Sequence, residues 1–400
     1  MTNKNLKIGA IVALLAAAVS AHAQTIRPSY SFPDAPTGGT QVGDTPLFIS
    51  PSIYAFGGHD DNLFLSNTNE KSSYTWGLSP GLKLDARSPG MVFQSSYLMQ
   101  IGRFTSSSPD DYVDQSFLNQ VDVAFNQRTF LRLGYDFVRG HDPRGSTDRP
   151  TSATPDLYKV STPRATFAFG APGAQGRVEL YYSDAHRDYL NNLDTTAISD
   201  RDTTEGGGAF YWRVGPKTYV LVEARDTKID YDIPNPLSAR EHRYFLGVSW
   251  EATAKTTGTF KVGEMQRDFD GPIASSKSTA WEGWMTWAPR SYSHLDFYTG
   301  RVTNESTGEG NFILSSIGSV VWSHDWTSYV TTGVTYRYQR DEYQGFDRTD
   351  RTQTLGLRVG YRFRRWLTLG AEYNHITRDS NNSIDEYNKN TYLLNASAAM

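Results

Sequence analysis

The chain of 400 residues contains no cysteine. That absence excludes disulfide scaffolds, thiol nucleophiles, cysteine-ligated zinc or iron–sulfur centres and a lipid-anchored cysteine. After the first two dozen residues no apolar run approaches the ~18 residues of a membrane-spanning helix. Catalytic signatures are missing too. His59, His141, His186, His242, His294, His324 and His375 are scattered, mostly beside Asp or Arg in polar stretches, with no H-E-x-x-H, G-x-S-x-G or Walker pattern around them. An outer-membrane hydrolase is therefore a remote reading, and no cofactor, metal or catalytic residue is expected.

What is present begins with an export signal. Lys4 and Lys7 precede an apolar run from Ile8 to Val19, and Ala21-His22-Ala23 before Gln24 fits a signal-peptide cleavage site, so residues 1–23 are read as removed. Without those two lysines the remainder carries 37 basic and 43 acidic residues, a net charge of −6 that argues against a nucleic-acid partner. The mean hydropathy of −0.52 resembles that of a soluble protein. The 24 Tyr, 20 Phe, 9 Trp and 34 Gly point instead to a β protein with aromatic rings at membrane interfaces.

Period-two alternation supports that reading. Tyr74, Trp76, Leu78, Pro80, Leu82, Leu84 and Ala86 share one phase, opposed by Thr75, Gly77, Ser79, Gly81, Lys83, Asp85 and Arg87. The pattern returns at 91–103, 117–126, 131–137, 244–251 and 355–363. Soluble strands average about 5 or 6 residues, whereas a tilted membrane strand needs roughly 9 to 11. With one apolar and one polar phase, a closed barrel satisfies every backbone amide in hydrocarbon.

Connections alternate in length as an up-and-down barrel requires. Short ones fall at 87–90, 126–128, 214–217, 288–291, 323–325 and 364–365 and read as periplasmic turns. Polar stretches at 58–73, 104–116, 139–157, 184–205, 226–242, 267–279, 302–311, 340–351 and 378–390 read as extracellular loops. The expected fold is all-β: a transmembrane antiparallel barrel of about eighteen strands, with sixteen as the alternative, over residues 47–400 behind a flexible periplasmic leader at 24–46. Strands of about ten residues and loops of about fourteen account for the length. The last strand alternates through Tyr392, Leu394, Ala396 and Ala398 but ends in Met400, where many such barrels end in an aromatic. A plugged transporter of about twenty-two strands would exceed the chain.

Specific segments resemble a known family. Pro51, Ile53 and Tyr54 lead to Asp60-Asp61-Asn62-Leu63-Phe64, followed by Leu78-Ser79-Pro80-Gly81-Leu82, Asp142-Pro143-Arg144-Gly145, Leu246 to Glu251 and Trp284 to Pro289. In this order they resemble the outer-membrane β-barrel porins of the beta-barrel porin 2 type, associated with exopolysaccharide biosynthesis. The resemblance implies a Gram-negative outer-membrane barrel that assists polysaccharide export or assembly, and it supplies no catalytic residues.

Charged residues on the polar phase are candidates for a pore lining: Lys83, Asp85, Asp122, Arg132, Asp136, Glu223, Arg225, Arg358 and Arg362. On the lipid face each would cost several kcal/mol. They serve either as an electrostatic constriction or as structural salt bridges across a wet lumen. Trp76, Trp250, Trp284, Trp287, Trp322, Trp326 and Trp366 are read as an interface girdle, with sugar stacking on such clusters, Trp281 included, as the alternative. Asp60-Asp61-Asn62 reads as turn chemistry, lacking the spaced ligands of a calcium loop, and Asp142-Pro143-Arg144-Gly145 as a tight turn with a loop salt bridge. Either loop is also able to fold inward and narrow the pore.

The expected function is a passive porin-like channel, serving polysaccharide or small hydrophilic solutes. A structural or adhesive barrel with a plugged lumen is the alternative. Expected partners are outer-membrane lipid, lipopolysaccharide and the barrel-assembly machinery.

Overall fold

The computed structural model describes residues 30–33, 38–150, 152–253 and 255–399. Residues 1–23, read above as an export signal, residues 24–29 and 34–37 of the expected leader, and Met400 lie outside the described residues.

Nineteen strands follow one another: β1 (Thr40–Gln41), β2 (Leu47–Asp60), β3 (Ser73–Ser88), β4 (Met91–Phe104), β5 (Tyr112–Ala124), β6 (Thr129–Asp142), β7 (Asp156–Phe169), β8 (Gly176–Tyr189), β9 (Arg201–Gly215) and β10 (Thr218–Tyr231). They continue with β11 (Ala239–Thr253), β12 (Thr256–Phe269), β13 (Ser276–Arg290), β14 (Ser293–Glu305), β15 (Phe312–Asp325), β16 (Val330–Gln344), β17 (Thr349–Arg364), β18 (Leu367–Ser380) and β19 (Tyr387–Ala399). From β2 onward each strand pairs antiparallel with the next, and β19 returns to β2 from Thr391 opposite Asp60 to Ala399 opposite Ser52. The result is a closed barrel of eighteen strands; β1 only adds Thr40 opposite Ile49 and Gln41 opposite Phe48.

Alternation sets the two faces. On β11, Tyr244 and Leu246 are 60% and 57% exposed, while Glu241 and Arg243 of the opposite phase are 1% exposed. A soluble sandwich would show the reverse, so the apolar phase faces lipid and the charged phase faces inward. Pro80 and Pro163 lack an N–H for a ladder bond. Each sits where one pairing lapses, between Leu78 and Gly81 on β3 and between Ser161 and Arg164 on β7.

The barrel strands β2 to β19 are longer than the expected ten residues, at 13 to 16. The loops shrink accordingly. The stretch expected as loop 340–351 reduces to 345–348, because β16 and β17 keep pairing up to Glu342 opposite Thr349. Polar residues end the lipid-facing belt without ending the ladder, so hydropathy misplaces the loop boundary.

One seam differs. β13 and β14 pair only up to Trp281 opposite Arg301. Above that point β13 stays on β12, as far as Ser276 opposite Arg267, and β14 stays on β15, as far as Glu305 opposite Phe312.

Leu246 lies at the middle of β11 on the outer face. Leu246→Arg is expected to destabilise the barrel by roughly 2–4 kcal/mol, the cost of arginine at the bilayer midplane. Urea titration in lipid vesicles checks this, and an unchanged midpoint would refute the facing.

Candidate functional site

The inner wall carries the site, and its densest part lies on β10 to β13. Inward alternation brings Glu223 and Arg225, Lys261 and Glu282 side by side. Arg225 donates to Glu223 Oε1 at 2.6 Å and to Glu282 Oε1 at 2.9 Å. Lys261 Nζ lies 2.7 Å from a carboxylate oxygen of each acid, and the Tyr181 hydroxyl donates to Glu223 at 2.8 Å. Arg243, Arg267 and Lys261 are 1%, 0% and 2% exposed. Such burial is tolerated only because each charge has a hydrogen-bonded partner of opposite sign.

The cover over the upper part of this wall comes from the β14–β15 hairpin. Thr303 and Glu305 share the lipid-side phase of Arg301 by alternation, yet both make lumen-side contacts. Arg243 donates to Thr303 Oγ1 at 2.8 Å, which donates to Glu241 at 2.8 Å. Arg267 grips Glu305 through two bonds of 2.8 and 2.7 Å, and Tyr231 adds a third at 3.0 Å. Phe312 and Leu314 pack with Phe245, Met265 and Ala280 in one buried apolar cluster. Above the broken seam, therefore, the hairpin top folds into the barrel and lies against its inner wall.

A second tie crosses the extracellular mouth. Loop 143–155 sends Asp148 to Arg348, at 2.9 Å, and its amide to Thr307 at 3.1 Å. Arg348 also contacts Glu309 at 2.9 Å, Asp350 at 2.6 Å and Asp385 at 3.2 Å. Four carboxylates thus share one guanidinium; burial opposes its charge, but Asp350, Tyr343, Asp148 and Glu309 hold its pKa above the ordinary value. Burial, with the other carboxylates adding to it, raises the Asp385 carboxyl above the usual range. The loop's base is held by Arg149, 2.8 Å from Asp142 and 2.9 Å from Asp156. The Asp142-Pro143-Arg144-Gly145 turn forms no salt bridge within itself: Arg144 pairs with Asp110 instead. At Gly145, with φ of +80°, a Cβ would stand 1.9 Å from the Phe64 carbonyl oxygen, so only glycine allows this approach.

The short-turn end is occupied by residues 30–33. Tyr30 is 4% exposed; its amide donates to Glu179 at 3.0 Å and its hydroxyl to Asp122 at 3.1 Å. Arg177 donates to the Tyr30 carbonyl, Arg132 to that of Ser31 at 2.9 Å and Arg87 to that of Pro33 at 3.2 Å.

The charged residues singled out from sequence fall into separate groups. Asp85 pairs with Arg87 at 2.7 Å and Asp122 with Arg132 at 2.8 Å, both beside the amino-terminal segment. Asp136 pairs with Arg164 at 2.9 Å, and Glu223 and Arg225 belong to the buried network. Arg358 donates to Ser323 at 3.1 Å, while Lys83 and Arg362 form no ion pair among the described residues. Sequence reading missed Lys261, Glu282, Glu241, Arg243, Arg267, Glu305 and Arg348. The inward phase of β11 to β13 was the available signal for the first five.

Of the tryptophans, Trp76, Trp287, Trp326 and Trp366 are exposed. Trp250 and Trp322 share the outer phase of their strands, and Trp284 shares the inward phase of Glu282. The Asp60-Asp61-Asn62 carboxylates are spent on the closing seam: Asp60 pairs with Lys389 at 2.7 Å and Asp61 accepts from Asn390 at 2.6 and 2.7 Å.

The family profile described as "Putative beta-barrel porin 2" matches residues 35–400. The chain belongs to this family. No curated protein matches this porin. Among solved structures, OccK2 (OpdF) of Pseudomonas aeruginosa aligns with a TM-score of 0.51 at 10% identity, over 88% of this chain and 98% of that one. The same channel in complex with glucuronate aligns at 0.51 and 9%, over 88% and 98%. The FrpB iron transporter of Neisseria meningitidis aligns at 0.44 and 10%, over 82% of this chain, which spans 62% of FrpB's length. These likenesses concern the fold.

Lys261→Met should leave the buried acids Glu223 and Glu282 to share Arg225 as their one cation within 3 Å and cost about 3 kcal/mol, with Glu223→Gln in the same chain recovering part of it. Urea titration of single and double variants tests this; additive losses would refute the coupling. Asp385→Asn is expected to stabilise the mouth at pH 7. The raised carboxyl is fully ionised, hence most unfavourable, above its folded pKa, so the gain should fade as pH falls towards 4. Limited proteolysis of loop 143–155 across pH measures it, and faster cleavage of the Asn variant at pH 7 would overturn the sign.

Proposed function

We propose that this porin is a passive outer-membrane channel for small hydrophilic solutes, with a preference for anions. The observation that carries the reading is the uneven charge pairing of the inner wall. On β10 to β14, Arg225, Lys261, Arg243 and Arg267 are neutralised by Glu223, Glu282, Glu241 and Glu305. Lys83 on β3 and Arg362 on β17 are cations without an ion-pair partner among the described residues, and Arg358 of β17 donates to Ser323 with Glu372 opposite it in the ladder. A passage along that wall would carry positive potential, which in a low-dielectric tube selects by charge. Glucuronate, bound by the structurally similar channel, is a reasonable acidic-sugar probe.

The inward hairpin and the Asp148–Arg348 tie favour a second reading, a surface barrel with a blocked lumen. Polysaccharide export rests on the family association alone.

Planar-bilayer recording separates these. A passive channel should give stable conductance and a reversal potential of anion-selective sign in a KCl gradient, reduced in Lys83→Gln/Arg358→Gln. Block by acidic oligosaccharide would support passage or binding of polymer. A folded, heat-modifiable barrel with no current would overturn the channel and support the blocked one.

A further inference from the structure

The β13–β14 register continues in sequence beyond the last bridge that forms. With Trp281 opposite Arg301, the next positions upward set Ala280 against Val302, Thr279 against Thr303, Ser278 against Asn304 and Lys277 against Glu305. None of these four pairs forms, since each strand stays with its other neighbour. Yet the residues suit one another: an apolar pair, a threonine pair, a hydrogen-bonding Ser–Asn pair and an opposite-charge pair, the combinations that stabilise neighbouring strands. In the observed state Glu305 is held by Arg267 and Tyr231 instead. Lys277 remains 64% exposed, with Glu264 at 4.0 Å as its ion-pair partner.

We propose that the upper β14–β15 hairpin is a two-position gate. Tucked inward, it buries Phe312 and Leu314 on Phe245 and Met265 and fills the extracellular half of the lumen beside β10 to β13. Swung outward, it completes the wall by zipping 302–305 onto 277–280, joins Glu305 to Lys277, and leaves Glu241, Arg243 and Arg267 lining a wetter passage. The two positions exchange one set of contacts for another, ion pair for ion pair and buried apolar surface for strand pairing, which is what a bistable element requires. The pivot lies at Thr299 opposite Gly318, and nothing stands within 4 Å of where a Cβ on Gly318 would be, so no packing wedges it. Asp148, reaching Thr307 and Arg348 from across the mouth, bolts the inward position.

The gate rests on the channel reading, and cysteine cross-linking separates the two because the chain has no native thiol. Lys277→Cys/Glu305→Cys in the full-length protein in native membranes should form a disulfide on oxidation and raise conductance several-fold over its reduced form. Arg267→Cys/Glu305→Cys, joined by a short bifunctional thiol reagent, should lower it several-fold. Glu305→Gln, which keeps the side-chain shape, should raise the open fraction without any cross-link. Folding of each variant is checked by heat-modifiable mobility. Absence of the disulfide in a folded barrel, or conductance indifferent to both links, overturns the gate. A disulfide that forms with no current in either state leaves the hairpin motion standing and sinks the channel.

Discussion

A backbone amide in hydrocarbon has no water to bond, and that constraint governs the rest of the molecule. It forces every strand from β2 to β19 to be paired on both sides through the lipid belt and forces β19 back onto β2. The lapse between β13 and β14 obeys the same rule. Counted from the turn at 291–292, ten residues of β13 lie between Arg290 and Trp281. At about 3.3 Å each and a tilt near 40°, they span roughly 25 Å, the height of the apolar band. Counted this way the β13–β14 ladder breaks at the height of the apolar band, whereas the lapses at Pro80 and Pro163 are confined to two positions each. Above that level water and protein satisfy the edge, so the hairpin is free to leave the wall without exposing amides to lipid.

Closure in turn dictates what fills the inside. Alternation sends every second side chain into the lumen whether or not anything is transported, and an ionised group there must be wet or paired. The barrel uses both solutions on different sides. Along β10 to β14 the charges are dry and interlocked, four cations with four carboxylates, and the hairpin's Phe312 and Leu314 seal them. On β3 and β17 the inward-phase cations Lys83 and Arg362 have no such partners among the described residues. The same alternation thus produces a packed interior on one side and an ionic wall on the other.

How far the fold was legible follows from this. Period two at 74–87, 244–251 and 355–363, with alternating short and long connections, was enough for an all-β barrel and for the strand count, because both are local patterns repeated around a ring. Strand ends were not legible, since Glu342 keeps its ladder partner Thr349 within a stretch polar enough to read as loop. Phase assigned Arg225 and Glu223 inward. It also assigns Glu305 and Thr303 outward, whereas the structure has them gripped by Arg267 and Arg243 from the lumen side. Parity describes a strand relative to its own sheet and says nothing about a hairpin folded through that sheet's interior. Asp148 and Arg348 are 200 positions apart, and nothing local in either loop announces the other.

The position of the hairpin bears on specificity as much as on access. Tucked in, its Glu305 is consumed by Arg267, and the neutralised side offers a solute no net charge. The lumen's field then comes from the rest of the wall, where Arg358 and Arg362 of β17 face inward with the inward position Gly360 between them. Moving the hairpin out would shift Glu305 to the outer face and leave Arg267 facing Glu241, which Arg243 also pairs with, so the passage that opens would also become more positive. In such a barrel the element that controls the width of the pore would control its charge as well, because one carboxylate serves both as the latch and as the counter-ion.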